Sequence, residues 1–499
     1  MTDQERAISR RTLLRGAAGV AGVGVAASTL ASCSQASTNT GSTKNRPVTA
    51  YHSIANFRPP PIAITVERPG TVPGLIMTDV HDGSGQQGPM IIDPNGDLVW
   101  FRPVSDNGTP TLRAMNLRVQ TYKGQPVLTW YQGPVVGGHG EGVYIIADTS
   151  YRTIATVHAG NGLMGDLHEF FLTDQGTAIF STYGIQYANL SAYGGSTQGN
   201  YLYGEVQEVD VATGKLLFSW RTDRYIHLDE SHVAPSRNGS VRWDYFHLNS
   251  VAIDPDDGNL VISSRNCWAF YKVHRTTGQL LWRLGGKKSD FSMGPDTHFA
   301  FQHHVIPNGQ GAYSIFDNES APLVHPPSRA LFLQVDETKR TATFVRAFIH
   351  VPPLVAGSSG TVQVLGDGGT FVGWGAKPYF SEYDANGHLI LDGNLVGAGL
   401  ISYRAFLQPW SATPSDPPSV TLARSGANTL IYVSWNGATG VARWRVLAGA
   451  SSDQLAAIKT VRKKGFETRI IAPKQPPYVV VEALDAQGNL LGISGVHHL

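Results

Sequence analysis

The sequence predicts an all-β chain, a six-bladed β-propeller followed by a small C-terminal sandwich of the immunoglobulin or fibronectin III kind, and three observations carry that reading. First, 55 glycines and 29 prolines are spread along 499 residues, which implies many turns and few long helices. Second, one phrase recurs: an apolar strand, a turn rich in Asp, Asn and Gly, and a second apolar strand. It stands in MIIDPNGDLVWF from Met90, FLTDQGTAIFSTY from Phe171, VAIDPDDGNLVISSR from Val251 and VQVLGDGGTFVGWG from Val362. Further hairpins follow in VDVATGKLLFSW from Val209, VHRTTGQLLWRL from Val273 and YDANGHLILDG from Tyr383. Third, the composition changes after Trp410, where SATPSDPPS reads as a linker.

Taken in order, residues 1–33 have the layout of a twin-arginine export signal, with Arg10 and Arg11 ahead of a small-residue apolar run from Ala17 to Ala31. Leu30, Ala31, Ser32 and Cys33 resemble the lipobox of bacterial lipoproteins, which makes Cys33 the expected lipid attachment point. The run is short for spanning a bilayer. The expected location is therefore the cell envelope, on the outer face of the cytoplasmic membrane. Residues 34–46 form a polar tether, and residues 47–89, with FRPPPIAITV, a β segment that packs on the propeller or supplies a closing strand. Residues 90–410 have room for six units of three or four strands, the repeat of a propeller. A sandwich needs no internal similarity at that period. The stretches from Gln186 to Asn200 and from Leu284 to Ala300 read as loops on one face. Residues 411–419 are the linker, and the alternation in 420–499 suggests a sandwich similar to a fibronectin type III module.

Charge narrows the class further. With 39 basic against 38 acidic side chains and no basic stripe, the chain has no electrostatic footprint for nucleic acid. Apart from Cys33 the only cysteine is Cys267, so an exported fold must be held by packing without an intrachain disulfide.

Aligning the units on their turns shows where the histidines fall. His168 opens HEFFLTDQG, His247 opens HLNSVAIDPDDG and His303 opens HHVIPNGQG, each at nearly the same distance before its own turn. The first strand of each propeller blade lines the central channel, so equivalent positions form a ring at one mouth. The residue seven after the turn glycine returns to that level on the second strand: Tyr183 after Gly176, Arg265 after Gly258 and Asn318 after Gly311. With Asn249 just after His247, these residues make a polar, partly cationic cup suited to an anion.

A single strand histidine is more often a core residue bonded to a neighbouring strand than a catalyst. Three in equivalent positions point to function, although packing alone can also repeat. Three neutral imidazoles also suit zinc. Against that stand the guanidinium of Arg265 and the lack of a carboxylate in the ring, so neither metal nor cofactor is expected. Asp166 and Glu169 flank His168, and either is placed to orient it.

The runs DYFHLNSVAID, NLVISSRN, LLWRLGG, FQHHV and SIFDN, with GPMIIDPNGDLVWF upstream, resemble the bacterial arylsulfotransferase family over most of the chain from Phe57 to Trp410. The resemblance implies a six-bladed propeller with its active site at the channel mouth, moving sulfuryl groups between phenols without a nucleotide donor. It implies that His247 and Arg265 are the histidine of the Phe-His-x-Asn motif and the arginine of the Ser-Ser-Arg motif. His303, after Gln302, takes the place of the transiently sulfated histidine, and His168 that of the histidine of an earlier blade. Family members tend to read Ser-Ser-Arg-His and Gln-His-Thr where this chain has Asn266 and His304. The expected reaction is ping-pong, with His303 as nucleophile, His247 or His168 as acid and base, Arg265 on the sulfuryl oxygens, and Tyr183, Asn249 and Asn318 as orienting groups. The competing expectations are a non-catalytic envelope propeller that binds an anionic ligand or a partner protein, and a quinone-dependent dehydrogenase. The second would need adjacent cysteines or a calcium-type carboxylate cluster, and the sequence offers neither.

Overall fold

A computed structural model describes residues 50–83, 85–104, 112–473 and 475–499. The expected export signal, Cys33 and the tether lie outside them. No helix among the described residues is long and apolar enough to cross a membrane.

Antiparallel hairpins dominate, because apolar stretches alternate with turns that supply left-handed backbone where it is needed. Gly258, at φ 74°, lets the chain reverse between the strands Leu248–Ile253 and Leu260–Ser264. The Asp256 carboxylate on that turn accepts the N–H groups of Gln310 and Gly311, at 2.8 and 3.0 Å, and ties it to the turn of the next sheet.

Six sheets of four or five strands follow one another through Ile62–Gln408 and form a β-propeller. Their first strands include Arg113–Tyr122, Gly165–Leu172, Leu248–Ile253, His303–Pro307 and Thr361–Val364, and neighbouring ones touch around a common axis. Middle strands such as Leu260–Ser264 and Ala269–Val273 are buried at every residue, being covered on both faces by adjacent sheets. The outer strand Leu216–Arg221 instead alternates at its start between half-buried and exposed residues, and only Trp220 is buried. Apolar side chains fill the seams: Val261, Phe270, Trp282 and Leu284 of one sheet meet Val305, Tyr313, Ile315 and Leu331 of the next. Each such side chain, fully buried, contributes about 1.5–3 kcal/mol.

The ring closes with strands from both ends of the propeller. Ile62–Glu67 pairs with Leu389–Leu395 on the outside of the last sheet, and Phe406–Gln408 pairs with Leu75–Val80 on the inside of the first. Of the two arrangements expected for this segment, its described residues take the second and supply closing strands. Leu75–Val80 belongs to the first sheet, and the expected boundary at Met90 falls inside its strand Gly88–Ile92. The stretch from Gln186 to Asn200 is likewise more ordered than a loop. The hairpin ladder continues through Gln186 opposite Tyr201 to Ala188 opposite Gly199, because Ile185, Tyr187, Tyr201 and Tyr203 extend the strand pattern past the body of the sheet. Within Leu284 to Ala300, Ser292–Met293 pairs in parallel with Thr341–Ala342.

Beyond Trp410, two further sheets enclose a core of their own that includes Ile431, Val433, Trp444, Val446, Ile470 and Val481. They are bolted to the propeller by buried polar contacts. Tyr151 Oη donates to Gly437 O at 2.8 Å, and Asn436 brackets the backbone of Phe101 through N–H and C=O, at 3.0 and 2.9 Å.

Candidate active site

The opening hairpin of the fourth sheet brings its two ends together: Arg265 N–H donates to His247 O at 3.0 Å and Asn266 N–H to Phe246 O at 3.1 Å. His247 stands at φ 54°, a left-handed conformation that costs a non-glycine residue on the order of 1–3 kcal/mol and is found most often at functional positions. His168 lies inside the strand Gly165–Leu172, and His303 begins His303–Pro307. Gln302 fixes the latter strand to its neighbour, its amide donating to Ser263 Oγ, Ser264 O and Ala269 O at 3.0, 2.9 and 3.1 Å.

The three histidines converge. One ring nitrogen from each of His168, His247 and His303 lies within 4.8 Å of the others, and Nε2 of His168 is 3.2 Å from Nε2 of His247. The opposite nitrogen of each ring has its own partner. His168 Nδ1 faces Asp166 Oδ2 at 2.7 Å, His247 Nδ1 faces Asp244 Oδ2, and His303 Nδ1 faces Asn318 Oδ1 at 2.7 Å.

These partners set the tautomers. A carboxylate only accepts, so His168 and His247 both carry hydrogen on Nδ1. Asn318 spends its amide hydrogens on Ala356 O and Ser359 O, at 2.9 and 3.1 Å, so its oxygen accepts from His303 Nδ1–H. The Nε2 lone pair of His303 is thereby directed into the cluster, where Ser359 N–H caps it at 3.2 Å.

Electrostatics keep the nucleophile candidate neutral. Burial, then the positive charge of Arg265, hold the His303 imidazole well below its ordinary value. Burial lowers His247 to about 4 despite the attraction of Asp244. Burial pushes Asp166 up, but the charge and hydrogen bond of His168 outweigh it and bring the carboxyl to about 2. The same opposition holds Asp244 well below the carboxylate range, with His247 and His139 as the stabilising neighbours.

Arg265 is largely buried. Its guanidinium stacks over the Phe301 ring at 4.6 Å and donates to Asn266 Oδ1 and Gly357 O, at 2.9 and 3.3 Å. The other expected orienting groups are placed differently. Tyr183 Oη donates to Leu248 O at 2.6 Å, which occupies its proton, and its ring packs edge-on against His139 at 4.3 Å. Asn249 donates to Gln302 O at 2.6 Å, steadying the backbone before His303, while its Oδ1 is buried without a partner. Of the two acids flanking His168, Asp166 orients it. Glu169 instead binds Arg118 and the fully buried Arg404, at 2.6 and 3.0 Å, and closes the channel beneath the cluster. His304 faces that lower side, its ring against Phe406 and its Nδ1 3.4 Å from Val362 N.

Two residues were not anticipated. Asp244 brings a carboxylate into contact with the ring of histidines, contrary to the expectation that none falls there, because the short strand Trp243–Asp244 turns back toward His247. His139 Nε2 lies 3.4 Å from the same carboxylate, near enough for attraction although out of hydrogen-bond line. Burial works against a charge on His139, but Asp244 outweighs it and raises the imidazole above its ordinary value. His139 sits in a glycine-rich turn outside the repeat alignment, so no equivalent position signalled it. By geometry, His168, His247 and His303, or His139, Asp244 and His247, are also sets able to hold a metal ion.

A cavity of about 400 Å³ ends at His139, Tyr183 and Asp244. Val136, Leu163, Met164, Ile185 and Leu202 make its walls largely apolar, with Arg242 also on its lining.

No curated protein is a significant match to this sequence. Solved structures similar to it include a protein of unknown function from Bacteroides caccae, 12% identical with a TM-score of 0.42, covering 67% of this chain and 98% of that one. A catalytically inactive virginiamycin B lyase from Staphylococcus aureus with quinupristin is 8% identical, with a TM-score of 0.30 and coverage of 79% and 97%. Regucalcin, a calcium-binding protein from Agrobacterium tumefaciens, is 13% identical, with a TM-score of 0.31 and coverage of 73% and 94%. The profile described as arylsulfotransferase (ASST) matches residues 118–395, more than half of the sequence and the part that carries His168, His247, Arg265 and His303. The chain belongs to the arylsulfotransferase family.

Proposed function

We propose that this chain transfers a sulfuryl group from an aryl sulfate to a phenol by way of a sulfated His303. The observation that carries the reading is the pairing of His303 Nδ1–H with Asn318, which leaves a neutral Nε2 lone pair among His168, His247 and Arg265. Sulfuryl transfer, like phosphoryl transfer, depends on positioning and charge stabilisation more than on elaborate covalent chemistry. As Nε2 bonds to sulfur, the bond from sulfur to the aryl oxygen breaks. The departing phenolate takes the proton held between His168 and His247, and Arg265 balances the charge on the sulfuryl oxygens. The Ser359 N–H that caps Nε2 at rest turns to one of those oxygens. An acceptor phenol then returns its proton to the histidine pair as its oxygen attacks sulfur, and His303 leaves neutral. Phenols suit the scheme because a pKa of about 10 makes phenolate a tolerable leaving group.

The test is incubation of the purified chain with 4-nitrophenyl sulfate, with and without a phenol, following nitrophenolate release and intact mass. Acceptor-dependent release with a sulfuryl-sized mass gain that disappears in His303→Ala supports the reading. A His303→Ala variant with wild-type turnover removes His303 from the nucleophile role. We propose in addition that the chain is exported by the twin-arginine route and held at the envelope by lipid on Cys33. Fractionation of Cys33→Ser should move the protein from membrane to soluble fractions.

A further inference from the structure

Nε2 of His168 and Nε2 of His247 face each other at 3.2 Å, and both rings already spend their Nδ1 hydrogens on carboxylates. Two lone pairs at that separation repel, so something positive must lie between them. A proton satisfies the pair. A tetrahedral Zn²⁺ does so equally well, because ligand bonds of about 2.0–2.1 Å put two coordinating nitrogens a little over 3 Å apart. His303 supplies a third neutral imidazole within 4.8 Å, and its ring must leave the Ser359 N–H and move inward to reach the same ion.

The surroundings are those of a zinc site as well. Histidine ligands to zinc usually donate their far N–H to a carboxylate or carbonyl, which fixes the ring and raises its basicity. Here Asp166, Asp244 and Asn318 do this for the three rings in turn. Asp166 is itself held by Gly140 N–H and Ser181 Oγ–H, at 2.7 and 2.9 Å. The guanidinium of Arg265 opposes a dication, but it is directed to Asn266 and Gly357 O, and the two carboxylates outnumber it.

We infer that His168, His247 and His303 form a zinc-binding site and that zinc there blocks the transfer reaction. The inference rests on the proposed role of His303 only for its second half, since a metal on Nε2 removes the lone pair that would attack sulfur.

The purified chain, stripped with EDTA, is titrated with ZnCl₂ against a chromophoric chelator. One zinc per chain is the expected result. Asp166→Asn should weaken zinc by about 10- to 100-fold through loss of the outer carboxylate. His168→Ala and, as a second check on folding, His247→Gln should weaken it more, with far-UV circular dichroism unchanged. Nitrophenolate release should stop at one equivalent of zinc and return with EDTA. Zinc uptake unaffected by both histidine variants would place it on surface histidines and overturn the inference. Full turnover at saturating zinc would overturn the block. A chain that turns over aryl sulfates and binds no zinc refutes this site and leaves the proposed function intact. A chain that binds zinc through these residues and never transfers sulfuryl groups does the reverse.

Discussion

His139 and His247 share one carboxylate: Asp244 Oδ2 is bonded to His247 Nδ1 and lies 3.4 Å from His139 Nε2. His247 in turn faces His168, which faces Asp166, so a run of acids and imidazoles with two imidazoles at its centre crosses the channel mouth. Such a run holds both rings in a single orientation, as the proposed proton shared by His168 and His247 requires. His139 acts through Asp244, as a positioning residue.

Asp244→Asn tests that arrangement. The amide keeps an oxygen for His247 Nδ1–H but loses the charge that favours protonated imidazoles, so the shared proton becomes easier to remove. We expect kcat/KM to fall by about 10- to 100-fold, as for other lost carboxylate partners of functional histidines. The alkaline limb of the pH profile should move to lower pH. A limb that stays in place would show that Asp244 does not tune the pair.

Arg265 should matter to the chemical step. Its guanidinium is fixed by Phe301, Asn266 and Gly357, so it enters the reaction already oriented. Arg265→Lys keeps the charge but loses the planar fork and the stack. A drop in kcat of about 100- to 1,000-fold, with KM changed much less, is expected from loss of such a donor. A rise in KM at unchanged kcat would make Arg265 a binding group alone.

Met164 is half exposed on the wall of the apolar cavity. Met164→Trp should narrow the cavity without disturbing the core, raising KM for 4-nitrophenyl sulfate by about tenfold while kcat stays within about twofold, the pattern of lost uniform binding. An unchanged KM would put the aryl ring elsewhere.

Much of this was legible in the chain because local pattern and tertiary structure agree. The Asp-Gly turns and flanking apolar runs mark the hairpins, and their common spacing puts His168, His247 and His303 at one level before any coordinates are known. What the spacing does not carry is side-chain direction. Tyr183 and Asn318 lie at matched positions, yet Asn318 grips His303 while Tyr183 turns its hydroxyl to Leu248 O. Asp244 lies on a short strand between two repeats and His139 on one inserted between two paired strands of a single repeat, where no periodicity speaks. The start of the propeller was missed for a related reason: the pairing of Leu75–Val80 with Phe406–Gln408 joins residues more than 300 positions apart.

The buried imidazoles also make a prediction about acid stability. His247 takes its proton near pH 4 when folded, against an ordinary 6.5, and burial holds His303 and His304 well below that value too. Above the ordinary value these groups are neutral in both states and cost nothing. As the pH falls from about 6.5 toward 4, the unfolded chain takes up protons that the folded chain refuses, so stability falls with pH across that window. For His247 alone the loss reaches about 3 kcal/mol. His139 runs the other way: its raised pKa stabilises the fold below the ordinary value, and the gain fades as the pH rises through the folded one. Asp166 contributes only at more acid pH, where stability present above 3.8 is lost as the pH falls toward about 2. Elsewhere in the fold His232 is lowered and His350 raised, and the raised carboxyls Asp317, Glu319 and Glu382 add stability as the pH falls, so each imidazole's own contribution is read against a variant that lacks it. Relative to a variant lacking one depressed imidazole, the parent's urea midpoint should therefore fall between pH 6.5 and 4.5. His304 lies outside the cluster of ring nitrogens, and His304→Gln keeps an acceptor for Val362 N–H while removing one titrating group. That variant should show a shallower acid slope than the parent, and a slope equal to the parent's would mean that His304 is not held neutral by the fold.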